Sequence, residues 1–165
     1  MQEFYGTKKL KAKPMTRGDY NKYRGWGNPK DENPNDLGYL VEYLDGGAPN
    51  HEAHSGYISW SPKDIFEAAY QLTTEMSFGH AITAMKSGKR VARAGWNGKN
   101  MFLYYVPAAN YPAAYNELHT MQGEFPDDMV PYGAYIAMKT AQNNVIPWLA
   151  SQTDMLADDW TVVDI

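Results

Sequence analysis

Arg93-Ala94-Gly95-Trp96-Asn97-Gly98-Lys99-Asn100-Met101-Phe102-Leu103-Tyr104-Tyr105 decides how this chain is read. Asn97-Gly98 is a turn pair, since both residue types take the positive φ that a tight reversal needs. Before it, Arg90 to Ala94 predicts a short strand. After it, Met101 to Val106 predicts another, apolar or aromatic on both faces, as a buried or interface strand is. The stretch has a late partner, Pro147-Trp148-Leu149-Ala150-Ser151-Gln152-Thr153-Asp154. Each half holds one Trp beside small polar residues. An indole offers a flat π-face on which a base can stack, and amide, hydroxyl and carboxylate groups can read the base edge. The same letters also have a plain structural reading, in which Trp is core and Asn-Gly is only a turn.

Working outward, Ser77 predicts the cap of a helix with Phe78, Ala81, Ile82 and Met85 on one face, closed by Gly88. Pro107 to Gly133 carries four Pro residues and little periodicity, so it reads as a long loop. Tyr135–Thr140 and Val145–Trp148 read as a hairpin around Asn143-Asn144. Ser151 opens a last short helix and Trp160 to Val163 a final strand.

Toward the amino terminus, Lys9-Leu10-Lys11-Ala12-Lys13 is either a lysine-guarded edge strand or a solvated tail. Thr16 to Tyr23 predicts a short helix capped by Thr16. Asn28 to Asp36 is loop. Gly38–Leu44 and Tyr57–Trp60 are strands. Ser61-Pro62-Lys63-Asp64 predicts a capped helix with Ile65, Phe66, Ala69, Tyr70 and Leu72 on its apolar face. Gln71 to Glu75 is a joint, and Met76 looks like a native start. The fold class expected is therefore α+β in two small modules, 1–75 and 76–165, each a short antiparallel sheet with one or two helices. An echo runs between them. Arg24-Gly25-Trp26, a Tyr-rich strand, Ile58-Ser59-Trp60 and a Ser-x-x-Asp helix start are followed by the same order from Arg93 to Asp154. Either the first module is a degenerate copy of the second, or any strand followed by a capped helix looks this way.

Composition sets the outer limits. The chain has 165 residues, 14% aromatic content, no Cys and a net charge of −4. Without Cys there is no disulfide or thiolate chemistry, which suits a reducing cytosol. Nothing approaches the roughly 20 apolar residues of a membrane span. The acidic balance disfavours a grip on a DNA or RNA polymer, while a compact anion needs only a few local cations. His51-Glu52-Ala53-His54 places its histidines three apart, where the zinc-protease signature needs four on a helix, so it reads as a solvated loop. No serine elbow or phosphate-cradling glycine loop is present, and Asp127-Asp128 and Asp158-Asp159 read as solvated or capping residues. No catalytic residue, metal site or cofactor is expected. Lys86, Lys89, Arg90, Arg93 and Lys99 form a cationic cluster that serves either the helix end or phosphate pairing. Ser151 and Asp154 form a capping box, whose free N–H groups also suit a phosphate.

A resemblance rests on these residues. Phe78-Gly79 with Ala81, Gly88-Lys89-Arg90-Val91-Ala92-Arg93, Gly95-Trp96-Asn97-Gly98, Met138-Lys139-Thr140, Pro147-Trp148, Ser151-Gln152-Thr153-Asp154 and Asp159-Trp160 occur in one order from Met76 to Asp164. In them the chain resembles the phage anti-Thoeris sponge family (Thoeris anti-defense, second type). The resemblance implies a non-catalytic protein of the host cell cytoplasm that sequesters cyclic nucleotide immune signals. These are cyclic ADP-ribose isomers such as those of Thoeris, or cyclic dinucleotides of CBASS. It implies a homodimer or homotetramer with sites between subunits. Trp96 and Trp148 would stack, Asn97, Ser151, Gln152, Thr153 and Asp154 would make polar contacts, and Arg93 or Lys99 would meet phosphate. The chain departs from the family pattern at Tyr135, Ala137 and Gln142-Asn143-Asn144. The first module is similar to amino-terminal segments of other small phage proteins, without an activity attached. The rival readings are a phage structural or host-protein interaction module, and a nucleotide hydrolase.

Overall fold

The chain divides into two units, Met1–Gln71 and Leu72–Ile165. A computed structural model describes residues 1–4, 6–96, 98–113 and 121–163. The fold class is α+β, with antiparallel sheets throughout, as the strand and helix patterns predict.

In the first unit, β1 (Leu10–Pro14), β2 (Gly38–Tyr43) and β3 (Ile58–Pro62) form a sheet in that order. The lysine-rich stretch is thus an edge strand, its Lys11 and Lys13 exposed where a further strand would otherwise pair. Helix α1 (Arg17–Tyr23) is capped by Thr16, whose hydroxyl accepts from Asp19 N at 3.2 Å. It buries Tyr20 against Leu40 and Ile58, with Met15, Tyr23 and Trp60 around them.

Two expectations change here. Ser61 does not cap a helix. It stays in β3 opposite Tyr39, and α2 (Lys63–Ala69) starts after Pro62 without a side-chain cap. The apolar positions of α2 bury no residue fully, and Ile65 is 66% exposed. Nor is the histidine loop merely solvated. His54 Nδ1 lies 3.1 Å from Glu42 and His54 Nε2 lies 2.9 Å from the Tyr23 hydroxyl, while His51 stacks on the Tyr23 ring at 4.5 Å. Ring stacking and a charge partner hold these histidines against α1 and β2.

The second unit opens with α3 (Phe78–Lys86), with Ser77 at the N-cap position as expected but without the side-chain cap bond, its hydroxyl lying 2.9 Å from His80 Nδ1. Gly88 leaves the helix at φ +85°. A five-stranded sheet follows in the order β10 (Trp160–Val163), β4 (Arg90–Arg93), β5 (Phe102–Val106), β8 (Tyr135–Lys139), β9 (Val145–Pro147). Helix α4 (Gln152–Met155) lies on the chain between β9 and β10. Pairing of Val91 with Leu103, and Leu103 with Met138, puts these side chains on one face. There they pack with Met76, Ala81, Met85 and Trp160 as the core. Thr73 O and Met76 already bond to β10, through Val162 N at 2.8 Å and Trp160, which is why the division falls ahead of residue 72.

Pro107 to Gly133 is not all loop. It contains β6 (Ala109–Pro112) and β7 (Met129–Tyr132), a two-stranded sheet preceded at β7 by a 3-10 turn, Pro126–Asp128. Prolines 112 and 131 are tolerated because, among the described residues, each strand has one neighbour and an open edge. The 135–148 hairpin forms as expected, with Asn143 at φ +63°. The echo between units is coincidence. β2 lies directly beside β3, whereas the corresponding β5 and β9 are separated by β8.

Candidate functional site

Trp160 is the hub. It is fully buried, and its register opposite Arg93 puts it on the α3 side of the sheet. Two half-buried indoles meet it edge-on: Trp96 at 5.6 Å and 77°, and Trp148 at 6.0 Å and 82°. Phe78 closes the cluster at 5.3 Å from Trp160 and 5.9 Å from Trp148. The buried indole N–H donates to Asp154 O at 3.0 Å, which satisfies it and ties α4 down. Each of Trp96 and Trp148 thus rests an edge or face on protein and keeps part of its surface open.

The polar side of the cluster is an ion-pair chain. Arg93 Nε donates to Asp159 Oδ1 at 2.7 Å, and Nη1 to Asp154 Oδ1 at 3.0 Å and Thr153 O at 3.4 Å. Asp159 Oδ2 accepts from Gly95 N at 3.2 Å. Asp154 Oδ2 accepts from the Ser151 hydroxyl at 2.6 Å and Ser151 N at 3.3 Å, while Ser151 Oγ accepts from Asp154 N at 3.1 Å. That is the reciprocal capping box the spacing predicts. Hydrogen bonding to Asp159 and Asp154 raises the Arg93 guanidinium pKa. The Arg93 bond holds the Asp159 carboxyl below its usual range. Burial pushes the Asp154 carboxyl up, but bonds from Ser151 and Arg93 outweigh it and the net direction is down.

The structure thus brings together Arg93, Trp96, Trp148, Ser151, Thr153 and Asp154. Lys99 is exposed beyond the Trp96 turn, and Gln152 is exposed in the first turn of α4. Neither side chain bonds to the described residues. Asn97 lies outside the described residues. Sequence reasoning quoted Asp159-Trp160 among the motifs of the resemblance but gave neither residue a role at the site. The strand register supplies that role, setting Trp160 opposite Arg93 and bringing the preceding Asp159 to Gly95. Sequence reasoning missed a cavity of about 330 Å³ lined by Val106, Pro107, Tyr111, Pro112, Ala113, Tyr132 and Tyr135. A smaller one of about 130 Å³ shares Tyr135 and is rimmed by Lys86. Neither is lined by Trp96 or Trp148. Both sit at the Val106–Tyr135 end of the β5–β8 pair, away from the Trp96 turn that precedes Phe102.

Comparison with known proteins falls on this same unit. The model of the Thoeris anti-defense 2-like domain matches residues 76–163. The chain is 42% identical over 92 residues to Thoeris anti-defense 2 of Bacillus phage SP01, across 56% of this chain and 99% of that protein. The matched span holds α3, the five-stranded sheet, the tryptophan cluster and the Arg93 ion pairs. The chain belongs to the Thoeris anti-defense 2-like family.

Proposed function

We propose that this protein is a phage anti-defense protein that binds and sequesters a cyclic nucleotide immune signal without degrading it. The observation that carries the reading is the pair of half-open indoles, Trp96 and Trp148, set around Trp160 beside the start of α4. Such surfaces stack a base whatever its identity. Ser151, Gln152, Thr153, Asp154 and Asn97 supply polar contacts. Lys99 and the remaining edge of Arg93 supply charge for phosphate. Cyclic ADP-ribose isomers are the first candidates and cyclic dinucleotides the second. The family name denotes anti-defense and no reaction, which accords with a binding protein of the host cytoplasm.

One observation bears on assembly. The sheet face away from α3 carries Phe102, Tyr104, Val106, Tyr135 and Val145, of which Tyr135 is 42% and Val145 54% exposed. A face of that kind suits a homodimer or homotetramer, and it equally suits the alternative of a host-protein interaction module.

The test is to incubate the protein with candidate signals, denature it by heat and recover what it held. A sequestering protein returns the ligand intact. Conversion to product makes it an enzyme, and no uptake of any candidate leaves the interaction module. Native mass measurement on the same samples reports the assembly.

A further inference from the structure

We propose that Asp159 is a positioning residue for the Trp96 turn, acting through Arg93 as a strut between that turn and the Trp148–α4 segment. Asp159 grips the turn at three points. Its Oδ1 takes Arg93 Nε at 2.7 Å, its Oδ2 takes Gly95 N at 3.2 Å, and its backbone O takes Ala94 N at 3.0 Å. Trp96 N then closes the reversal on Arg93 O at 3.3 Å. Ala94 and Gly95 are exposed, so packing does little to hold them. A Cβ at Gly95 would stand 3.4 Å from the Asp159 carboxylate, an ordinary van der Waals contact, so the carboxylate lies directly against this stretch of backbone. From Arg93 the chain of bonds passes to Asp154 and the Ser151 cap of α4. One guanidinium thus ties the segment before β5 to the segment after β9.

The strut makes a specific division of labour. Arg93 sits between two carboxylates, so its charge is largely met within the protein, and Lys99 is the cation of this turn left facing solvent. Asp159 engages both of its carboxylate oxygens within the protein, one with Arg93 Nε and one with Gly95 N. Its effect on binding is therefore through the place and mobility of Trp96. The inference rests on the reading that the Trp96 turn meets the ligand.

The test uses the full chain and begins without ligand. Amide hydrogen exchange and the indole N–H resonances are compared among wild type, Asp159→Ala and Asp159→Asn. In Asp159→Ala, Gly95 exchange should rise at least about tenfold, as expected when an amide loses the acceptor it has among the described residues. The Trp96 indole signal should shift, while Leu103 and Met138 amides keep their protection. Asp159→Asn, which retains a carbonyl acceptor but loses the charge facing Arg93, should fall between. With a cyclic nucleotide that the wild type holds, Asp159→Ala should release it several-fold faster at little change in melting temperature. Unmoved Gly95 and Trp96 signals in Asp159→Ala would overturn the proposal. So would an equal rise across β5 and β8, which would make Asp159 a general fold residue. If the wild type takes up no cyclic nucleotide, the functional reading fails, and the exchange comparison still decides the strut.

Discussion

Trp96 and Trp160 are the same residue type, in contact at 5.6 Å, yet truncating them has different consequences. Trp160 is completely buried with its N–H bonded, so Trp160→Ala should cost about 3–5 kcal/mol of stability and lower the melting temperature sharply. Trp96 is half-buried on an exposed turn, so Trp96→Ala should melt much nearer to wild type. On the stacking reading it loses about 1–3 kcal/mol of binding, on the order of five- to 150-fold in affinity. Trp96→Phe keeps a π-face and should keep much of that affinity. Melting temperature and affinity measured on all three variants check this. A Trp96→Ala protein that binds as wild type removes Trp96 from the site. The sequence placed Trp96 beside polar residues and Trp160 at the head of a strand but left their burial open, because burial is set by the β10–β4 register. A titration belongs to the same scale. His54 first, then Gly56 and Ser55, hold the Glu42 carboxyl down to about 2 from a usual 4.5. A depressed carboxylate stabilises the fold above its unfolded pKa and loses that contribution as pH falls through the folded one. The melting-temperature gap between wild type and Glu42→Gln should therefore be full above about pH 4.5 and close toward pH 2. A gap that stays constant over that window would show that the charge contributes nothing.

Two elements begin with the same letters, Ser-x-x-Asp, and only one is capped by its serine. Ser151 and Asp154 bond reciprocally, so Ser151→Ala should cost about 0.5–2 kcal/mol, and it should loosen α4 beneath Thr153 and Asp154. Ser61 is claimed by the sheet: its backbone pairs with Tyr39, and among the described residues its hydroxyl reaches only Pro62 O at 3.5 Å. Ser61→Ala should therefore stay within about 0.5 kcal/mol of wild type. Urea unfolding of the two variants tests the contrast, and equal losses would mean that the local motif, not the ladder, sets the cap. The comparison also shows what a sequence conveys at this scale. Helices α1, α3 and α4 and most of the strands were legible, because caps, turn pairs and alternation are local signals. Ser61 misled because a competing long-range pairing wins over a local cap. The β6–β7 hairpin was hidden because its prolines argue against strands, and only an isolated two-stranded ribbon excuses them. The ion pairs of Arg93 were illegible because their partners are separated from it by 61 and 66 positions.

For the whole molecule, the two units should be separable, at the boundary that the hydrogen bonds draw. All seven buried residues of the second core, from Met76 to Trp160, lie in Leu72–Ile165, as does the whole family match. A fragment spanning Leu72–Ile165 should therefore fold cooperatively and keep whatever ligand the full chain takes. Starting later carries a graded cost. A fragment from Met76 gives up the bond from Val162 N to Thr73 O and should be slightly weaker. One from Ser77 also loses Met76, which is 5% exposed and exchanges two backbone bonds with Trp160. Losing that side chain costs about 2–5 kcal/mol by analogy with core truncation, a large share of what a domain of this size has. The three fragments should thus rank in melting temperature in the order of their start points, with the largest step between Met76 and Ser77. If the Leu72 fragment is unfolded while the full chain folds, the second core depends on Met1–Gln71 and the division into units fails. If it folds and binds, the ligand-binding role lies in the family-matched unit, and any role of the first 71 residues must be sought in tests that do not measure ligand uptake.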